Sequence, residues 1–249
     1  MCIRDRVRTE LQPEAGVRYA GYVAWRGMVP ESDVDPSVAA LFGDAVNYNV
    51  HANSHILIYP IPGLDGSVEP GKRLLNFVWY RNYLEGPELD DLLTDNTGKR
   101  RELSVPPGAV TDHHVAELRA VARARLPTQF AHVVTAVGEP FLQTIYEIEV
   151  DQMAFGRVCL LGDAAFAMRP HAAAGTAKAA DDAWSLCAAL EGAGDVAKAL
   201  TLWEPAQLEL GKKLTIRNRA VGLRSQVTNE WDPQSPEVIF GLHEPGDGA

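Results

Sequence analysis

The chain has 249 residues, 46% hydrophobic and 22% charged, enough for one large domain or two modest ones with a real core, which excludes bulk disorder. Its formal net charge of −10 repels phosphate backbones. The two basic clusters, Lys99-Arg100-Arg101 and Lys212-Lys213 with Arg217 and Arg219, lack aromatic partners for stacking bases, so nucleic acid is not an expected partner.

Residues 17–29 read as a strand, because Tyr19, Tyr22, Val23 and Trp25 favour the pleated backbone. A short helical piece follows Pro36, over 37–42. Residues 46–61 hold a second strand region centred on 55–59, which Pro60, Pro62 and Gly63 end. The run 74–80 is nearly apolar throughout and predicts a strand covered on both faces. After a Gly86-Pro87 break and an acidic connector, Thr111 caps a helix whose apolar stripe is Val115, Leu118, Val121, Ala122 and Leu126; Pro127 stops it.

Residues 141–150 alternate, with Leu142, Thr144, Tyr146, Ile148 and Val150 on one side, as a half-buried strand does. At 157 the character changes. A short buried strand over 157–161 leads into Gly162-Asp163-Ala164-Ala165, then a loop with Pro170, then a helix over 175–190. That helix is expected to bury Ala180, Ala183, Trp184, Cys187 and Leu190, and to turn Lys178, Asp181, Asp182 and Ser185 outward. A helix over 196–203 follows, and Pro205 is expected to open a further helix to about 226, where its missing N–H costs nothing. The fold class is thus α+β with an α/β element: a mixed β-sheet platform, then strand, motif and C-terminal helices.

Three cysteines, Cys2, Cys159 and Cys187, show no metal spacing. Cys159 and Cys187 lie in apolar runs and read as small buried residues with reduced thiols, which points to the cytoplasm. The histidines form no HxxxH or HExxH pattern, and the adjacent pair His113-His114 is not expected to face one metal, so no metal site is expected. No apolar run approaches the ~18 residues of a membrane span, and no membrane partner is expected.

The stretch from Arg157 to Trp184 carries chemistry. A strand delivers Gly162 and Asp163 to its carboxyl end, and small residues then bring the chain onto the start of a helix. Small residues admit a flat ligand close to the backbone. A helix start offers unpaired N–H groups and partial positive charge. An acid at a strand end pairs with sugar hydroxyls.

This stretch resembles the second flavin-contact motif of the class A flavin monooxygenases, the p-hydroxybenzoate hydroxylase superfamily. The resemblance implies FAD contacts from Gly162 and Asp163 (ribityl hydroxyls), Pro170 (beside the ring) and Gly175, Thr176 and Ala177 (backbone N–H groups at the pyrimidine edge). The stretches YAGYVAWRG at 19–27, YPIPG at 59–63, LLNFVWY at 74–80 and MAFGR at 153–157 look like the 2,6-dihydroxypyridine 3-monooxygenase branch of that family. Ala172 and Ala177 stand where other members have Gly and Asn. The implied activity is NAD(P)H-dependent reduction of FAD, a C4a-hydroperoxide formed with molecular oxygen, and hydroxylation of an electron-rich ring such as a dihydroxypyridine. His171 is a candidate for proton transfer at the substrate, and His55, Tyr59, Asn76 and Trp79 are candidates for substrate contact. A homodimer is left open.

The chain has no GxGxxG, and Val7-Arg8 stands about where a family motif upstream of the first strand would close. The expected division is therefore a foreign leader at 1–6, a substrate-binding sheet domain at 7–150, the C-terminal part of a Rossmann-like FAD domain at 151–226, and a loose tail at 227–249. Two other readings stand beside the monooxygenase: a flavin reductase of the same fold, and a non-catalytic module that binds aromatics.

Overall fold

The computed structural model describes residues 3–232, 235 and 240–242; Cys2 and most of the expected tail lie outside them. In chain order the elements are helix α1 (Ile3–Leu11), strand β1 (Arg18–Pro30), α2 (Pro36–Phe42), β2 (Asn47–His51), β3 (Ser54–Ile61), β4 (Leu74–Asn82), α3 (Pro87–Leu92), β5 (Ser104–Val105), α4 (Asp112–Arg125) and α5 (Thr128–Ala136), then β6 (Phe141–Glu149), β7 (Ala154–Phe155), β8 (Val158–Cys159), β9 (Phe166–Ala167), α6 (Gly175–Ala193) and α7 (Val196–Leu223). Short 3-10 turns at Gly162–Ala164 and Pro170–Ala172 interrupt the motif, and a π turn at Arg224–Thr228 follows α7.

The described residues fall into two compact units. One takes those up to Ala20, Tyr146–Arg224 and those from Glu230 on; the other takes Gly21–Ile145 and Ser225–Asn229. The expected boundary at 150 therefore shifts to 146, and residues 7–20 group with the motif rather than with the sheet. The physical reason is α1: buried Arg8 donates to the Ala164 carbonyl at 3.4 Å, and Gln12 donates to the Gln152 carbonyl at 3.1 Å. Residues 3–6, expected as leader, form the first turn of that helix.

The sheet runs β2-β3-β4-β1-β6-β5, and every described register is antiparallel. Register assigns its faces, because directly opposed residues point the same way. Trp25 opposes Trp79, Gly27 opposes Phe77, and Ile56 and Ile58 oppose Trp79 and Phe77, so these residues share one apolar face. A methyl group on Gly27 would stand 2.6 Å from the Val137 side chain and 2.8 Å from the Phe77 ring, so only glycine admits this close approach. Phe42 of α2 and Phe130 of α5 meet edge to face at 5.0 Å, and Leu118 and Ala122 of α4 and Val133 and Val134 of α5 are fully buried.

Several expectations hold: β1, α2, the doubly covered β4 and the Thr111 cap. The expected alternation of β6 holds over 142–144 but fails at Glu147, which is buried because Arg169 and Arg219 pair with it, while Tyr146 is only half-buried. Others change. The region 46–61 is a hairpin, broken where Asn53 turns left-handed at φ 58°. The acidic connector contains α3, with Pro87 at its first turn, and α5 follows Pro127 directly. Residues 157–161 give only the two-residue strand β8, paired with β7, and Val158 is exposed. Pro205 lies inside one continuous α7 rather than opening a new helix; Thr201 and Pro205 are both exposed there, so the carbonyl that loses its N–H partner faces water.

Candidate functional site

The motif unit is built around a small core of Val150, Met153, Leu160, Ala165, Phe166, Leu200 and Trp203. Phe166 lies against Gly211 of α7, where a methyl group would stand 2.5 Å from the ring. Strand β9 pairs with the end of β6, Phe166 opposite Glu149, and so fixes the middle of the Gly162–Pro170 segment. Gly162 is left-handed at φ 55°, and a side chain there would press on Ala179 of α6 at 3.0 Å. The next residue, Asp163, is exposed at the turn.

The second half of the loop reaches the start of α6. Pro170 opens the 3-10 turn, His171 and Ala172 are buried in it, and Ala173 is left-handed at φ 50°. Buried Asn218 of α7 accepts the Ala172 N–H at 2.8 Å and pins this corner. The helix then begins at Gly175 with no side-chain cap, and the first N–H bonded back within it is that of Lys178, to the Ala174 carbonyl at 2.8 Å. Thr176 and Ala177 are exposed and Gly175 half-buried. An uncapped helix start with small residues presents its N–H groups and its partial positive charge outward.

The expected orientation of α6 is reversed. Lys178 is 1% exposed and Asp182 0%, whereas Trp184 is 83% exposed and Cys187, Ala183 and Leu190 are also outside. The Lys178 ammonium pairs with Asp182 Oδ1, donates to Gln207 Oε1 at 3.3 Å and lies over the Phe166 ring at 5.6 Å. The other carboxylate oxygen of Asp182 accepts the Gly162 N–H at 2.8 Å. Gln207 Nε2 donates to Asp181 Oδ2 and Ser185 Oγ, both at 3.0 Å, and Trp203 Nε1 donates to the Asp182 carbonyl at 3.1 Å. This network ties the Gly162-Asp163 turn to the helix that presents Gly175, Thr176 and Ala177. Periodicity missed it because it scores Lys and Asp as solvent-facing; their opposite charges at i,i+4 were the available signal. Arg169 belongs to a second anchor: its Nε donates to buried Glu147 at 2.6 Å, and Arg219 bridges Glu147 and Glu149 at 2.9 Å each.

In the sheet unit, His55, Tyr59 and Asn76 share the face opposite Trp25 and Phe77, together with Tyr22, Arg26, Tyr48 and Tyr80. Trp79, also a substrate candidate, points to the other face and donates to Ser54 Oγ at 2.9 Å. The correction follows from the period of two: 76 and 79 cannot share a face. His55 is stacked on Tyr80 at 4.5 Å, and its Nδ1 lies 2.7 Å from Gln226 Nε2. Burial first, and His51 second, lower the His55 pKa to about 3, so the ring is neutral and Nδ1 accepts from Gln226. Burial, with Tyr59 nearby, pushes the Tyr48 phenol up to about 12, and burial likewise raises Tyr80, so these phenols stay protonated as donors. Asn76 Nδ2 is buried without a hydrogen-bond partner among the described residues, leaving a donor on this face to be met. Tyr48, Tyr80 and Gln226 were not singled out by sequence; register places the two tyrosines here, and the hydrogen bond to His55 places Gln226.

A sequence profile described as FAD binding domain-like matches residues 19–147, and another described as FAD binding domain matches 106–201. The 2,6-dihydroxypyridine 3-monooxygenase of Paenarthrobacter nicotinovorans is 37% identical over 224 residues, covering 90% of this chain and 55% of that protein. The structure of 2,6-dihydroxypyridine-3-hydroxylase from Arthrobacter nicotinovorans superposes with a TM-score of 0.88 at 35% identity, over 98% of this chain and 61% of that one. Klebsiella pneumoniae HpxO, solved with FAD and uric acid, shares the fold at a TM-score of 0.65 and 22% identity, covering 87% of this chain and 47% of that one. The chain spans about half the length of the curated relatives it matches. No helix of the described residues is long and apolar enough to cross a membrane.

Proposed function

Because this chain belongs to the FAD-binding monooxygenase family, we propose that it supplies the flavin-ring loop and the substrate platform of an enzyme that hydroxylates an electron-rich, hydroxylated (hetero)aromatic ring of the dihydroxypyridine class, with NAD(P)H and molecular oxygen as co-substrates. The observation that carries the reading is the left-handed Gly162 turn locked by Asp182 to an uncapped, small-residue helix start. These residues fit a flavin. Asp163 is exposed for ribityl hydroxyls, Pro170 is exposed at the ring edge of the loop, and the N–H groups of Gly175, Thr176 and Ala177 suit the electron-rich pyrimidine edge. FAD, when bound there, supplies the redox and oxygen-activating chemistry.

The chain's own residues bind, orient and exclude water. The Lys178-Asp182-Gln207 network keeps the Gly162 turn from relaxing, so the loop is organised before ligand arrives. On the platform, Asn76 Nδ2 donates to a ring oxygen, neutral His55 stays docked on Gln226, and the protonated phenol of Tyr48 and the ring of Tyr59 offer aromatic surface with polar tips. His171, buried beside the helix start, is the proposed proton-transfer residue. Unpaired Cys159 and Cys187 accord with a reducing, cytoplasmic setting.

The test is a titration of the purified chain with FAD, read as flavin absorbance retained after desalting. Retention by wild type, weakened about tenfold in Asp163→Ala by loss of a charge-assisted hydrogen bond, is the expected result. A colourless wild-type chain that still binds a dihydroxypyridine would replace this reading with a non-catalytic aromatic-binding module. Flavin retention with NAD(P)H oxidation but no hydroxylated product, on addition of the substrate, would replace it with a flavin reductase.

A further inference from the structure

Helix α4 carries a cluster that the reading above does not use. Its first turn places His113 and His114 beside each other, and Glu117 follows at i+4 and i+3, on the same side of the helix. Adjacent histidines were expected to diverge. Instead their ring centroids lie 4.9 Å apart at an interplanar angle of 48°. A ring nitrogen of each and a carboxylate oxygen of Glu117 all fall within 4.8 Å of one another, the one such group among the described residues.

The independent observation is the state of His114. The residue is 7% exposed, and its Nε2 lies 3.3 Å from Asp91 Oδ2. Its Nδ1 is buried and has no hydrogen-bond partner among the described residues. It faces Glu117 Oε2 at 3.9 Å. Arg81 holds the other Glu117 oxygen at 3.0 Å and so fixes Oε2 in that direction. The gap is too wide for a direct hydrogen bond and leaves a buried nitrogen unmet beside a fixed carboxylate oxygen. A cation at about 2.0–2.2 Å from each ligand atom fits between them.

We propose that His113, His114 and Glu117 bind a divalent transition cation of the Zn2+ class, with water completing the shell on the exposed His113 side. Two imidazoles and one carboxylate suit zinc, nickel or copper rather than the all-oxygen shells of magnesium and calcium. Asp91 behind His114 repeats the carboxylate–histidine arrangement that orients zinc-binding imidazoles. Bound cation would join α4 to α3, which carries Asp91, and so stiffen this edge of the sheet unit.

The experiment is calorimetric titration of the metal-stripped full chain with ZnCl2, paired with thermal unfolding. Wild type is expected to bind one zinc at sub-millimolar concentration and to gain thermal stability from it. His113→Ala, at an exposed position that leaves the fold intact, and Glu117→Gln should each weaken binding by about tenfold or more and abolish the thermal gain. His132→Ala, an exposed histidine outside the cluster, should change neither. Absence of zinc binding by wild type, or unchanged affinity in both His113→Ala and Glu117→Gln, overturns the site.

Discussion

The buried pair Lys178–Asp182 allows a sharp test of how the motif loop is held. Asp182→Asn keeps an oxygen for the Gly162 N–H, now accepted at 2.8 Å, but strands the Lys178 ammonium with only Gln207 Oε1 at 3.3 Å. Lys178→Met fills the same space and strands the Asp182 carboxylate in turn. Removing one partner of a buried ion pair leaves an uncompensated charge and costs about 3 kcal/mol or more, whereas replacing both by neutral groups of similar volume costs far less, about 1 kcal/mol. The double variant is therefore expected to be more stable than either single one, a sign that additive side-chain effects cannot produce. Urea unfolding followed by tryptophan fluorescence is the assay, since the Trp203 indole donates to the Asp182 carbonyl and to Ser185 Oγ. Each single substitution should lower the midpoint by roughly 1 M or more. Single variants that lose less than about 1 kcal/mol, or a double variant that loses the sum of the two, would refute the reasoning.

Pro205→Ala should stabilise the protein by about 1–3 kcal/mol, because it restores an N–H to the Thr201 carbonyl and removes a ring clash within α7; an unchanged thermal midpoint would mean the helix absorbs the ring without cost. For pH, the His55 pKa is depressed from 6.5 to about 3 by burial and then by His51. The unfolded chain therefore binds the extra proton between those values, so this contribution is complete above about pH 6.5 and is lost at about 1.4 kcal/mol per pH unit as pH falls towards 3. His55→Gln should flatten that slope in unfolding measured against pH, and an unaltered slope would place the acid sensitivity elsewhere.

The residues proposed for the flavin loop could be named from the sequence because they lie together in it. Gly162, Asp163, Pro170 and Gly175 to Ala177 are local, and small residues between a strand end and a helix start have few other uses. Strand β4, an unbroken apolar run, was legible for the same reason, whereas the alternation of β6 fails at Glu147, whose burial depends on the distant Arg219 and on Arg169. The hairpin break at Asn53 and helix α5 were not, since the first needs a left-handed residue that any short polar side chain can supply, and the second starts without a capping side chain.

What the sequence by itself determined is the strand or helix character of its long periodic segments and the local run of small residues between Gly162 and Ala177. Only the tertiary structure decided which side of α6 faces inward, because a lysine and an aspartate can be buried once Gln207 and the Gly162 N–H complete their hydrogen bonds. Register likewise decided that His55 and Asn76 share a face with Tyr48 and Tyr80 while Trp79 does not, and packing decided that Asp91 and Arg81 orient His114 and Glu117. In each case the partner is distant in sequence, and the energy of a polar side chain depends on which partner it meets.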